Sequence, residues 1–353
     1  MFKKALLLFS IIFLVLAARG YETPCDEGKM VFMKIATGSE TGTYIKIGED
    51  IKRFVAPDSC VVLKVESTRG SVINAKKLLK ERYVALGIVQ ADVLGKYKEL
   101  AQTAQTPKLR REARLIVDRL RVIKSLYMEE VHFIVRKDSL LKKIQDIRDA
   151  KINIGQRGSG TAMSTLLIYK ELFQSPILMR NITTYGYEEA LQKLINGEID
   201  VVSIVGGQPL GILKNPPNWL RGKIRLLSYD KASRRQADSY LVVKIKKESY
   251  PWLDYDIDTL GVPSYLVTFD YGRSPNNYQR RMKKALARMA FNLHKNMPLL
   301  KKKGHEKWKE VNSSLEAPRS LPRGWKYYDV TKDGYEYEPG VCSQRARRLT
   351  LCQ

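Results

Sequence analysis

The sequence predicts an α/β protein of two domains, and three observations lead there. A strand-like run that passes through a Gly/Ser/Thr loop into a helical apolar repeat recurs at 31–55, 61–81 and 152–170. At 353 residues the chain is long enough for two cores. Its 44% hydrophobic and 28% charged residues describe a globular, soluble chain rather than a disordered one.

The stretch 152–154 leads into Gly155-Gln156-Arg157-Gly158-Ser159-Gly160-Thr161 and then a helix. Glycines let backbone approach a ligand, Ser159 or Thr161 can cap the helix, and the first-turn N–H groups face outward with the positive end of the dipole. Such a turn holds a carboxylate or phosphate, and it is also an ordinary capped βα turn. Upstream, a strand at 31–37 meets the loop 38–43 and a helix carrying Tyr44, Ile47, Ile51 and Phe54 on one face. A strand at 61–66 then meets Ser67-Thr68-Arg69-Gly70-Ser71 and a helix at 72–81, and a third strand, 83–89, ends in Gln90. Three strand ends thus carry polar loops on one edge of a parallel sheet, where ligands of open α/β sheets bind.

The segment 96–120 is highly charged and helix-like except at Pro107, as a surface insertion would be. Strands are expected at 130–136, 182–185, 199–205, 224–227, 240–245 and 261–269, and helices at 139–147, 187–195 and 277–297. The strand 199–205 runs into Gly206-Gly207-Gln208-Pro209 and again points a polar end at the pocket edge. The tail after Lys301 carries Trp308, Trp325, Tyr327, Tyr328, Tyr335 and Tyr337, too many aromatics to be left in water.

The first residues read as a secretory signal: basic Lys3 and Lys4, an apolar run over 5–18, and Ala18-Arg19-Gly20 as a cleavage site. A cleavable signal over 1–20 implies export to the periplasm. Removing Lys3, Lys4 and Arg19 with it leaves 59 basic against 37 acidic residues, a net +22 against +25 for the whole chain. Such a field draws anionic ligands or surfaces; nucleic acid is not expected, because the chain carries no nucleic-acid motif. Four cysteines, Cys25, Cys60, Cys342 and Cys352, fit an oxidising compartment. Three pairings are open, and Cys25 with Cys60 and Cys342 with Cys352 is the one expected from their placement.

Catalytic signatures are missing. The histidines are His132, His294 and His305, and the chain has no GxSxG, HExxH or Walker sequence and no Cys/His spacing for a metal. The 155–160 glycines run GxxGxG, not the dinucleotide order. Neither an enzyme nor a cofactor or metal site is expected. A secreted enzyme on an anionic small molecule is the weaker reading beside a binding protein.

Six blocks in order, KIATGSETGTYIKIGEDI, ESTRGSVINAKKL, VALGIVQADV, INIGQRGSGTAMST, EALQKLINGEIDVVSIVGGQP and TLGVPSYLV, resemble the TAXI-type solute-binding proteins of TRAP transporters over about 31–268. The resemblance implies a type II periplasmic-binding-protein fold, two α/β lobes with a hinge and an interlobe ligand cleft. Lobe 1 would comprise 21–133 and 262–300, lobe 2 134–261, and a basic aromatic tail 301–353 would pack on a lobe. The hinge would lie near 130–136 and 260–266. It implies a monomeric receptor for a small anionic solute, a glutamate-like amino acid or dicarboxylate, delivered to a TRAP-type membrane permease; a ligand sensor with a membrane signalling partner would use the same cleft. The pocket would be built from Gly42, Thr43, Tyr44, Ser67, Thr68, Gly70, Ser71, Asn74, Gln90, Ser159, Gly160, Thr161, Tyr187 and Gln208, with Arg69 and Arg157 available to a second carboxylate.

Overall fold

In the computed structural model of the protein, residues 30–272, 276–313 and 325–330 are described. The signal segment, Cys25, Cys342, Cys352, Tyr335 and Tyr337 lie outside them. The described residues from Val31 onward belong to one compact unit.

The strand, loop and helix repeats fold as their periodicity predicts. Strand β1 (Val31–Ala36) leads to helix α1 (Thr43–Phe54), β2 (Val61–Glu66) to α2 (Ser71–Lys80), and β3 (Val84–Gln90) to α3 (Ala91–Thr103). Helix α1 buries Tyr44, Ile47, Gly48 and Ile51, one stripe at helical spacing. Gly48 is required there, since a Cβ would lie 2.8 Å from Thr37 Cγ2 and 2.9 Å from Val65 Cγ1. Every residue of β3 is buried, which is why it reads as a continuous apolar run rather than an alternation.

Helix α4 (Pro107–Arg119) follows α3, with Thr106 capping its start and Pro107 in the first turn. This corrects the expectation of a surface insertion over 96–120. Val93, Leu94, Tyr97, Ala101, Ala113 and Ile116 of these two helices are buried in one apolar cluster with β3 and later strands, and only their outer faces carry the charge.

The chain then enters β4 (Leu120–Arg136), 17 residues long, of which only the second part is apolar enough to be read as a strand. After it come β5 (Ile152–Asn153), α5 (Gly160–Phe173), β6 (Ile182–Thr183), α6 (Tyr187–Ile195), β7 (Val201–Gly206), the short α7 (Gly211–Lys214), β8 (Ile224–Leu226) and β9 (Leu241–Ile245). The helix expected at 139–147 is a 3₁₀ segment, Ile144–Asp149. Strand β10 (Ile257–Phe269) returns the chain, followed by α8 (Asn277–Lys295), α9 (Met297–Lys303) and a 3₁₀ turn at Glu306–Glu310.

One sheet runs β2-β1-β3-β10-β4-β7-β5-β6, with β8 also on β4 and β9 also on β10. Strands β1, β2 and β3 are mutually parallel, as are β5, β6 and β7. The two parallel sets are joined through the long antiparallel pair β4 and β10. Residues 264–268 of β10 pair with β3, whereas 257–261 pair with β9; residues 120–130 of β4 pair with β10, and 130–134 with β7. Pro263 is tolerated inside β10 because the register with β4 shifts there. Helices cover both faces of each half: α1 and α8 against α2, α3 and α4 in the first, and α5 against α6 in the second. This is the two-lobed α/β architecture with shared hinge strands.

Candidate functional site

The carboxyl ends of all six parallel strands open on a cavity of about 1000 Å³ between the two halves. From the first half come the 38–44 loop after β1, the 68–71 loop after β2, and Gln90 at the end of β3; from the second come Gln156 and Ser159 to Thr161 after β5, Gly186 to Glu189 after β6, and Ile204 to Gly206 with Leu210 to Ile212 around the end of β7.

The same loops are helix starts. Gly42, Gly70, Gln90 and Gly186 stand at the N-caps of α1, α2, α3 and α6, and none of these four helices has a side-chain cap. At α5, Ser159 Oγ accepts the N–H of Ala162 at 3.0 Å. Helices α4 and α8, whose starts lie away from the cavity, are capped by Thr106 and Asn276. The wall is therefore rich in backbone donors and in the positive ends of helix dipoles.

Of the residues named from the sequence, Gly42, Thr43, Tyr44, Thr68, Arg69, Gly70, Ser71, Gln90, Ser159, Gly160, Thr161 and Tyr187 line this cavity. Tyr187 OH is 2.9 Å from Thr161 Oγ1, which accepts the N–H of Val205 at 3.2 Å, so one hydroxyl ties α5, α6 and β7 together. Tyr44 OH and Ser71 Oγ are 3.5 Å apart, and Ser71 Oγ is 3.3 Å from Gln90 Oε1. Burial pushes the Tyr44 and Tyr187 hydroxyls up, so both are neutral donors. Lys46 and Arg69 are exposed cations in the lining.

Four named residues are placed elsewhere. Asn74 is fully buried behind the wall; its Nδ2 donates to Thr37 O at 2.6 Å and Ile88 O at 2.8 Å, bracing the ends of β1 and β3. Ser67 donates to Gly38 O at 3.1 Å and borders the outer groove beside the cavity. Arg157 is exposed and outside the lining. Gln208 is held by its own half: Nε2 donates to Lys244 O at 2.9 Å and Oε1 accepts from Lys246 N and Ser249 Oγ, both at 2.8 Å. Ser67, Asn74 and Gln208 follow the polar loops in sequence, while their directions are set by contacts more distant along the chain.

Sequence reasoning missed two acidic groups and a lysine. Glu129 lines the cavity from the middle of β4 and is 2% exposed, with Gln90 Nε2 2.5 Å from its Oε2. Burial pushes its carboxyl up to about 8; hydrogen bonds from Tyr44 and Gln90 oppose this, and nearby Asp92 and Glu130 add to it. Glu130, one residue on, accepts the backbone N–H of Gln208 at 2.7 Å and pairs with Lys307 Nζ at 3.0 Å. Burial raises its carboxyl while Lys307 pulls it down. Lys307 comes from the turn after α9, is 1% exposed, and also meets Glu310 at 2.8 Å. The only sequence signal was a pair of carboxylates inside an apolar run, 126–135.

The two halves touch across the cavity. Thr43 Oγ1 donates to Gly207 O at 3.1 Å, and Tyr240 OH donates to Asp92 Oδ2 at 2.9 Å. His132 is fully buried in β4, its Nδ1 3.0 Å from Glu130 O and its Nε2 2.8 Å from Tyr250 OH. Because Tyr250 OH accepts from Leu210 N at 3.0 Å, its proton goes to Nε2 and the imidazole carries its own on Nδ1. That neutral, fully partnered ring is structural. Among the described residues no group of His, Cys, Asp and Glu is placed to hold a metal, and no helix is long and apolar enough to cross a membrane.

Two α/β halves of one sheet, joined through two long strands and closing on a polar cavity, define the type II periplasmic-binding-protein fold. A family model described as the NMT1-like family matches residues 35–312, and the chain belongs to that family. Among solved structures, the chain is similar to XAC2383 from Xanthomonas citri bound to chloride ion (11% identity, TM-score 0.45, covering 79% of this chain and 89% of that one). It is also similar to a putative periplasmic sulfonate-binding protein SsuA from Methylobacillus flagellatus (11%, 0.43, 88% and 78%). A third is the arginine-, lysine-, histidine-binding protein ArtJ from Geobacillus stearothermophilus (14%, 0.43, 79% and 100%). All three lie under a TM-score of 0.5, so the family match carries the assignment.

Proposed function

We propose that this protein is an exported solute-binding receptor that captures a small carboxylate between two lobes and passes it to a TRAP-type membrane permease, as a member of the TAXI group. The observation that carries the anionic part of this reading is the meeting of four uncapped helix N-termini, α1, α2, α3 and α6, at one cavity, while the long helices α4 and α8, which start elsewhere, are capped. Backbone N–H groups and the Thr43, Ser71, Ser159 and Thr161 hydroxyls then hold carboxylate oxygens, with Tyr44 and Tyr187 beside the carbon chain. Arg69 and Lys46, at the exposed rim, draw the anion in.

The lobes in this reading divide where β4 and β10 change partners, the first taking 21–133 and 262–300 and the second 134–261. A solute that touches both lobes favours the closed arrangement by the contacts it makes only there. Export through the segment 1–20 and delivery to a permease complete the proposal. Hydroxyls, amides and backbone donors bind but do not turn over an anion, which favours a receptor over an enzyme.

The test is a thermal-shift and calorimetric screen of the signal-free protein against glutamate, glutarate, 2-oxoglutarate, malate, phosphate and basic amino acids. A carboxylate that binds only the folded state raises Tm by mass action, and Thr161→Ala reduces that shift. No response of the folded, empty protein to any carboxylate, amino acids included, or to phosphate refutes the anion site.

A further inference from the structure

Glu129 is the one buried acid in the cavity wall, and its surroundings decide its protonation. From its own strand β4 it faces Tyr127 and Glu130; from α1, Tyr44; from α3, Asp92; from α6, Tyr187. None of these is a cation. Lys307, which reaches β4 from below, is engaged by Glu130 and Glu310. Lys46 and Arg69 lie exposed at the rim, and no ion pair joins either to Glu129. An ionised Glu129 would thus stand without a counter-charge beside two further acids, and an anion entering the cavity would add more negative charge. The neutral acid fits the contacts: Oε2 accepts the Gln90 amide at 2.5 Å, the Tyr44 hydroxyl is the other hydrogen-bonding neighbour, and the second oxygen of a residue that lines the cavity can carry the proton.

We infer that Glu129 recognises the bound anion as the neutral acid, donating its proton to a carboxylate oxygen of the solute, so that solute binding and proton binding are linked at this residue. The inference rests on the carboxylate reading of the cleft and adds a rule of selection to it. A solute that presents an oxygen anion to Glu129 is accepted, and one that presents an ammonium group there is not specifically held. The raised protonation range of Glu129, about 8, agrees with the same geometry.

The experiment is titration calorimetry of the signal-free protein with glutarate and with L-glutamate, at pH 7 and pH 9, each in two buffers of different ionisation heat. At pH 9 the empty protein has largely lost the proton, so binding takes up close to one proton, and affinity is about tenfold weaker than at pH 7. In Glu129→Gln the proton uptake disappears and the ratio of the two affinities falls to near one. Wild-type binding of glutarate without proton uptake at pH 9 overturns the inference and needs no variant to show it. So does a wild type that binds L-glutamate and not glutarate and loses it in Glu129→Gln, because the residue then acts as a carboxylate holding an ammonium group. If neither ligand binds, nor any other carboxylate, the carboxylate reading of the cleft falls and takes the inference with it.

Discussion

Gly160 and Gln90 meet across the cleft so closely that a methyl group on Gly160 would stand 1.7 Å from Gln90 Oε1, and 2.9 Å from Ser71 Oγ. Gly70 is close by as well, with its Cβ position 3.5 Å from Gly160 N. The glycine of the second half is therefore what lets the two halves come this near.

Gly160→Ala is expected to leave the empty protein folded but to hinder closure. Overpacking of this kind costs about 1–3 kcal/mol, which weakens solute binding roughly fivefold to 150-fold. Calorimetry gives the affinity, and small-angle scattering with and without a bound carboxylate gives the closure. Unchanged affinity would show that the closed contact plays no part in binding.

Lys307→Met leaves Glu130 buried with its cation removed. Breaking a buried pair from one side typically costs about 3–5 kcal/mol, read as a lower urea midpoint. Adding Glu130→Gln to the same chain recovers most of that loss. If the single variant is as stable as wild type, the pair does not hold the hinge strand to the C-terminal turn.

Burial holds His132 and His294 down at about 4, so both are neutral in the folded protein. The unfolded chain takes up their protons first as pH falls, so stability is lost from about pH 6.5 down to about 4, at about 1.4 kcal/mol per pH unit for the fully buried His132 and less for the half-buried, solvent-screened His294. Glu129 acts with the opposite sign: its raised carboxyl keeps a proton that the unfolded chain has shed, so its contribution is lost as pH rises from the ordinary carboxylate range to about 8. Urea melts from pH 4 to 9 should show His132→Asn with a shallower acid limb and Glu129→Gln with a shallower alkaline one.

Cys60 is disulfide-bonded, and the expected partner is Cys25. A non-reducing digest of exported protein should yield the Cys25–Cys60 peptide pair, and a Cys60 peptide linked to Cys342 or Cys352 would refute it. Closing a loop of about 35 residues stabilises by about 4 kcal/mol in the chain-entropy account, so reduction should lower Tm.

Local order was legible because it is local. A strand period breaking at Gly38 or Gly155 into a helix period, with hydroxyls at the break, announces a βα turn wherever it sits, and Thr43, Ser71, Ser159 and Thr161 follow from that pattern alone. The sequence by itself thus determined which strand ends carry polar loops, and that they share an edge of a parallel sheet. It did not determine where those loops meet. The first part of β4, with Arg121, Lys124 and Ser125, has no strand signature and becomes a strand because β10 lies alongside it. That pairing carries Glu129 into the cavity and Glu130 to Lys307, 177 residues away in the chain. The direction of Asn74 and Gln208, the burial that keeps Glu129 protonated, and the near contact of Gly160 with Gln90 were likewise decided by the tertiary structure. Desolvation and steric contact depend on everything within a few ångströms, and those neighbours come from segments that no local period connects.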